Sequence, residues 1–159
     1  MGPEVVAAKI TKILVAVDGS DFAERAGLTA VNIARRYSIP VVLLHVANYP
    51  ANTLGSGSVH TVSVGIPLAD PIIDRQKQRA ISSMDRIGGY ATKRGVDIDK
   101  EIIDTSSSIA NTIADFAYRN EVDLIVAGTR GTNEFKSAIL GSVSEEIFQV
   151  ARCSAMVVK

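Results

Sequence analysis

Two glycines three residues apart, Gly128 and Gly131, close the apolar run "DLIVAG", and nine residues later comes Gly141-Ser142. The residue types suit anion binding. A strand that ends in Gly-x-x-Gly can turn with positive φ, so that successive backbone N–H groups converge on an anion in a nest. Gly141-Ser142 stands immediately before a helical period carrying Val143, Ile147 and Val150. The first N–H groups of such a helix are unpaired, and its positive dipole end attracts phosphate. Gly141 lets a ligand approach the backbone, and the hydroxyls of Ser142 and Ser144 can donate to phosphate oxygens. Arg130, and after it Lys136, would offset phosphate charge.

Each device also occurs in proteins that bind nothing, with Gly128 and Gly131 as turn residues and Ser142 as an ordinary N-cap. Their joint placement favours the anion. The stretch is not a G-x-x-x-x-G-K-[S/T] loop, and no G-x-G-x-x-G follows the first strand, which disfavours P-loop and dinucleotide chemistry.

The elements that must position these residues follow from apolar periodicity. Short runs rich in Val and Ile at residues 12–18, 40–46, 101–104, 123–128 and 155–159 suit strands covered on both faces. Between them lie four helical periods. The first buries Phe22, Ala26, Ala30, Ile33 and Tyr37 and opens with Asp21 and Glu24 at capping-box spacing. The second carries Ile73, Ala80, Met84, Ile87 and Ala91, and the third Ile109, Ile113 and Phe116. Strict alternation predicts a doubly wound α/β domain, an open parallel five-stranded sheet with helices on both faces. Of two common strand orders, the Rossmann-like 3-2-1-4-5 puts the topological switch between the first and fourth strands, where ligand crevices open. The chain reads as a single domain over residues 1–159, with a tail over 1–8. A long Gly/Ser-rich loop over 47–70 is read as either a functional lid or a disordered segment.

Here the residues resemble a known family. Gly128-x-x-Gly131, nine residues, then Gly141-Ser142 is similar to the ATP-binding pattern of the universal stress proteins. "KILVAVDGS", "VVLLHV" and the terminal "CSAMVVK" resemble that family's first, second and last strands, so the likeness spans nearly the whole chain. The resemblance implies the 3-2-1-4-5 order, a homodimer paired through the C-terminal strand, and ATP or AMP as ligand, with Mg²⁺ or Mn²⁺ as a companion of ATP. It implies that Ala16 and Asp18 line the adenosine pocket and that Val46 offers backbone hydrogen bonds to the adenine edge. Ala127 and Gly128 would flank the ribose, Arg130 and Gly131 the phosphates, and Gly141, Ser142, Val143 and Ser144 would supply helix-end phosphate contacts. Asp18 has three readings: a ribose acceptor, a holder of metal-bound water, or a cap on the turn into the first helix. Arg130 stands where many relatives have His, which preserves anion binding. Ala155 replaces a usual proline, which affects only local strand geometry.

Composition bounds the rest. Lys plus Arg number 17 and Asp plus Glu 17, so no net field draws the chain to nucleic acid or an anionic membrane. The single Cys153 excludes an internal disulfide, and cytoplasm is the simpler compartment. His45 reads as a core histidine at a strand end. Three functions follow: a nucleotide-dependent regulatory protein, a slow ATP hydrolase lacking an evident general base, or a dimeric scaffold that leaves its glycines unused.

Overall fold

The computed structural model describes residues 7–49, 70–129 and 140–159. The elements run β1 (Ile13–Ala16), α1 (Asp21–Tyr37), β2 (Val41–Asn48), α2 (Pro71–Thr92), β3 (Ile98–Thr105), α3 (Ile109–Arg119), β4 (Leu124–Gly128), α4 (Ser142–Val150) and β5 (Ser154–Val158). All strands are parallel, as the alternation predicts, in the order β3-β2-β1-β4-β5 that the family resemblance implies.

The central strands are buried on both faces because their side chains alternate between two cores. Ile13, Val15, Val41 and Leu43 face α1 and α2, packing with Ala30, Met84 and Ile87. Leu14, Leu44, Val46 and Ile125 face α3 and α4, packing with Ile113 and Ile147. The edge strands differ from that pattern. β3, "IDKEIIDT", is half polar and largely exposed, and so extends well beyond the four residues its apolar run suggests. β2 continues through Asn48, and Asp70 caps α2, so both ends of the 47–70 segment belong to ordered elements. Residues 50–69 lie outside the described residues, and with them most of the expected loop.

The N-cap of α1 is Ser20, whose Oγ accepts from Ala23 N–H at 3.1 Å. Asp21 and Glu24 lie inside the first turn instead of forming a capping box. There they favour the positive helix end, and Glu24 reaches across to Arg86 of α2 at 2.7 Å. Tyr37, expected on the buried face, is 65% exposed, because the helix ends at Ser38 in a left-handed cap (φ 54°).

The β1–α1 turn is held from two sides. Gly19 has φ +83°, and a Cβ there would lie 2.8 Å from Arg79 Cβ on α2. On the opposite side, a Cβ on Gly128 would meet Phe22 carbonyl carbon at 2.7 Å. The first turn of α1 is thereby wedged between α2 and the end of β4.

At the other end of the sheet Asp123 ties β4 to the approach to β1. Its Oδ2 accepts from Thr11 Oγ1 at 2.6 Å, Thr11 N–H at 2.7 Å and Lys12 N–H at 3.2 Å. The Thr11 hydroxyl, then the Thr11 amide, hold its carboxyl below the ordinary value of 3.8, against an opposing contribution from burial. A depressed folded pKa contributes stability above the unfolded value, lost as pH falls through the folded value. Urea titrations of wild type and Asp123→Asn should therefore differ most at neutral pH. The gap should narrow below about pH 4; a gap independent of pH would contradict this assignment.

Candidate functional site

A cavity of about 230 Å³ opens beyond the carboxyl ends of β1 and β4, at the topological switch. It falls a little below the ~300 Å³ lower end of small-molecule pockets. Strand ends form its floor: Ala16, Leu44, Val46, Ala127 and Gly128. Ile109 and Ile113 of α3 and Ile147 of α4 make an apolar wall. Asp18, His45 and Gln76 add polarity on the α1/α2 side, and Gly141 to Ser144 close the remaining side. Ala16, Asp18, Val46, Ala127, Gly128, Gly141, Ser142, Val143 and Ser144 are thus brought together. Arg130, Gly131 and Lys136 lie outside the described residues.

The two glycine turns meet by a route that corrects the sequence reading. Gly128 is not a positive-φ residue; among the described glycines that conformation belongs to Gly19 and Gly95. Gly128 is small because α1 presses on it. Thr129 N–H donates to Val158 C=O at 2.9 Å, and Gly141 N–H donates to Thr129 C=O, so the Gly141 amide is occupied. The Ser144 hydroxyl is also committed: it is buried and donates to Gly128 C=O at 2.6 Å. These bonds staple the start of α4 to the end of β4.

Gly141, not Ser142, is the N-cap of α4, with φ −72° and ψ 154° and no side-chain cap. Among the described residues the other helices carry Ser20, Asp70 and Ser108 as side-chain caps. The N–H groups of Ser142, Val143 and Ser144 therefore stand without partners among the described residues, at the cavity wall, with the helix dipole behind them.

The floor offers a second set of backbone groups. Val17 N–H donates to Leu44 C=O at 2.8 Å, which fixes the parity of β2: even-numbered residues turn N–H and C=O toward β1, odd ones toward β3. Val46 is even, and β1 has ended at Ala16. Its N–H and C=O thus face the crevice.

Asp18 Oδ1 accepts from Ser20 Oγ at 2.6 Å and Ser20 N–H at 2.9 Å, so the carboxylate braces the turn into α1. Its Oδ2 takes no hydrogen bond among the described residues. His45 is 5% exposed, and its Nδ1 lies 2.8 Å from Val17 C=O. A carbonyl only accepts, so Nδ1 carries the proton and Nε2 the lone pair. Burial pushes the His45 pKa below 6.5 and outweighs the opposing hydrogen bond to Val17, so the ring is neutral at pH 7.

Sequence reasoning missed the apolar wall and the polar residues beside it. Ile109 and Ile113 were legible as one helix face, but not as a face shared with a ligand. Gln76 enters the cavity because α2 crosses the β1–α1 turn at Gly19, a tertiary contact with no local signal.

With this geometry in place, comparison with known proteins is specific. The family model described as the universal stress protein family matches residues 9–159. The universal stress protein YxiE of Bacillus subtilis is 31% identical over 148 residues, covering 93% of this chain and 98% of its own. Among solved structures, the universal stress protein UspA of Lactobacillus plantarum superposes with a TM-score of 0.70 at 30% identity, over 96% of this chain and 100% of its own. A universal stress protein family protein of Arabidopsis thaliana, solved with AMP bound, has a TM-score of 0.61 at 21% identity, over 94% of this chain and 91% of its own. A model match across almost the entire length, with a relative 31% identical end to end, means that this chain belongs to the universal stress protein family.

Proposed function

We propose that the chain binds an adenine nucleotide, ATP or AMP, at the β1/β4 switch and acts as a nucleotide-dependent regulatory protein in the stress response. The carrying observation is the uncapped start of α4, whose three open amides face a cavity with an apolar wall. A phosphate there satisfies N–H groups that the fold leaves unpaired. The Arabidopsis thaliana family protein solved with AMP bound supports the same ligand class.

In this reading Val46 C=O accepts from the adenine amino group and Val46 N–H donates to the ring nitrogen beside it. Ile109 and Ile113 pack on the base, and Ala127 and Gly128 flank the ribose. Asp18 Oδ2 accepts from a ribose hydroxyl. Arg130 and Gly131 serve the phosphates together with Ser142, Val143 and Ser144. Ser144 does so through its amide alone, since its hydroxyl is engaged. No cluster of three metal-ligating side chains occurs among the described residues; Mg²⁺ or Mn²⁺ would arrive on the triphosphate, with Asp18 as the carboxylate that lines the cavity. Water activation finds little help, because burial lowers the His45 pKa and leaves the imidazole a weak base. Turnover is expected to be slow at most.

The reading includes a cytoplasmic homodimer. The β5 edge, "SAMVV", carries no charge and leaves Met156 36% exposed. β3 guards the opposite edge with Asp99, Lys100 and Glu101. Met156→Lys should shift sedimentation equilibrium from dimer toward monomer; an unchanged dimer would place the interface elsewhere.

The test of ligand is direct. Denaturing the purified protein should release an adenine nucleotide identifiable by mass, or added ATP should raise the melting temperature. At a hundredfold excess over Kd, binding contributes about 2.7 kcal/mol, roughly 5–10 °C for a domain of this size. Neither release nor stabilisation would reject the nucleotide reading.

A further inference from the structure

The His45 imidazole takes a hydrogen-bond acceptor that belongs, by the geometry of the sheet, to the strand ladder. In the parallel β1–β2 ladder the bond that follows Val17 N–H to Leu44 C=O is Val46 N–H to Val17 C=O. That bond is absent among the described residues. Instead the Val17 carbonyl accepts the Nδ1 proton of His45 at 2.8 Å, from the residue adjacent to Val46. A carbonyl in this buried place needs a partner, since leaving it unpaired costs about 1–3 kcal/mol. His45 meets that need from the α1/α2 side of the sheet, and the ladder stops one step early.

We infer that His45 is a positioning residue: by holding Val17 C=O to its own Nδ1–H, on the α1/α2 side of the sheet, it keeps that carbonyl out of line with Val46 N–H, which stays unpaired and available to read the edge of a bound purine. The functional part of this inference rests on the nucleotide reading above; the backbone part does not. Val46 N–H donates, and so selects a base presenting an acceptor at N1, as adenine does. Hypoxanthine carries a hydrogen there and is refused. Preference for AMP over IMP is thus set by a side chain that need not touch the base.

The tautomer supports the assignment. Nδ1 must be protonated to donate to Val17, and Nε2 is buried without a partner among the described residues, so the ring has no competing bond to turn it away. Asparagine places an amide N–H close to the position of the imidazole Nδ1–H, whereas leucine offers none. Replacing His45 by leucine frees Val17 C=O, and the ladder can then close by one further bond from Val46.

Two measurements test this. Amide hydrogen exchange on the nucleotide-free protein should find Val46 N–H poorly protected in wild type and His45→Asn, and at least tenfold better protected in His45→Leu. Titration with AMP and IMP should find the AMP preference of wild type kept in His45→Asn and reduced about tenfold in His45→Leu, one neutral hydrogen bond's worth. The ratio of ATP to AMP affinity, which reports the phosphate end, should not change. A purely packing role for His45 would move stability and leave the AMP/IMP ratio alone. A protected Val46 amide in nucleotide-free wild type overturns the inference even if His45→Leu fails to fold, as does an unchanged AMP/IMP ratio in a folded variant. If wild type binds neither nucleotide, the ligand reading fails, and the exchange comparison still decides what His45 does to the ladder.

Discussion

Gly141→Asp is expected to stabilise the empty protein and at the same time to remove most of its affinity for ATP and AMP. Gly141 already has the extended backbone of an N-cap, φ −72° and ψ 154°, which aspartate adopts without strain. Its carboxylate would accept from the open amides of Val143 or Ser144. A side-chain cap in place of glycine adds a few tenths of a kcal/mol, and a negative charge at the helix start ~0.3–1 kcal/mol more. The melting temperature should rise by about 2–4 °C per kcal/mol gained. The same carboxylate occupies the amides proposed for phosphate and repels the anion, and a loss of ~3 kcal/mol corresponds to more than a hundredfold in Kd. Adenosine, lacking phosphate, should lose much less. Scanning calorimetry and titration calorimetry on one preparation read both effects. Stabilisation with unchanged ATP affinity would show that α4 does not hold the phosphates.

Gly128→Ala is expected to be severely destabilising for a single added methyl group. Its Cβ would stand 2.7 Å from Phe22 carbonyl carbon and Cβ, and 2.9 Å from Ala23 N. These are mostly backbone atoms of α1, which cannot retreat freely because α2 packs against the preceding turn at Gly19. Forced overpacking costs about 1–3 kcal/mol in a tight core, and here the neighbour is rigid, so ~3 kcal/mol and a fall of roughly 6–12 °C are expected. Gly89→Ala is the matched control. It lies inside α2 with nothing within 4 Å of the new Cβ. There the substitution should stabilise by roughly 0.5–1 kcal/mol through backbone entropy and helix propensity. Equal effects of the two in urea titrations would contradict the packing given for Gly128.

These two glycines show where the sequence was legible and where it was not. The alternation of apolar runs with helical periods made the parallel sheet legible, because a strand buried on both faces leaves an unbroken run such as "ILVA" or "LIVAG"; it left two strand orders open, and the family resemblance chose between them. β3 left only "EIID" to be seen, since in this edge strand lysine and carboxylates interrupt the apolar residues. The Gly128 and Gly141 positions were found by spacing, but their physical reasons were not. Gly128 needs no positive φ; it answers to Phe22, more than a hundred residues away in the chain. Ser144 looked like a phosphate donor, but its hydroxyl is spent on Gly128 C=O, a bond visible only once β4 and α4 are side by side.

His45 and Gln76 mark a further boundary. The histidine was legible as a strand-end core residue, yet its bond to Val17 depends on where β1 leaves the sheet. The glutamine reaches the cavity only through the crossing of α2 over the β1–α1 turn. The N-cap of α1 was misplaced by one residue, since Ser20 and Asp21 are both good caps and the hydroxyl of Ser20 is the one that meets Ala23 N–H.

The decisive measurement is the amide spectrum of the ¹⁵N-labelled protein titrated with AMP and, separately, with adenosine. Ser142, Val143 and Ser144 N–H resonances should move on adding AMP and stay nearly still with adenosine, while Val46 N–H moves with both. If saturating AMP leaves the three amides of α4 unperturbed, the start of that helix is not a phosphate site and the nucleotide-dependent function falls.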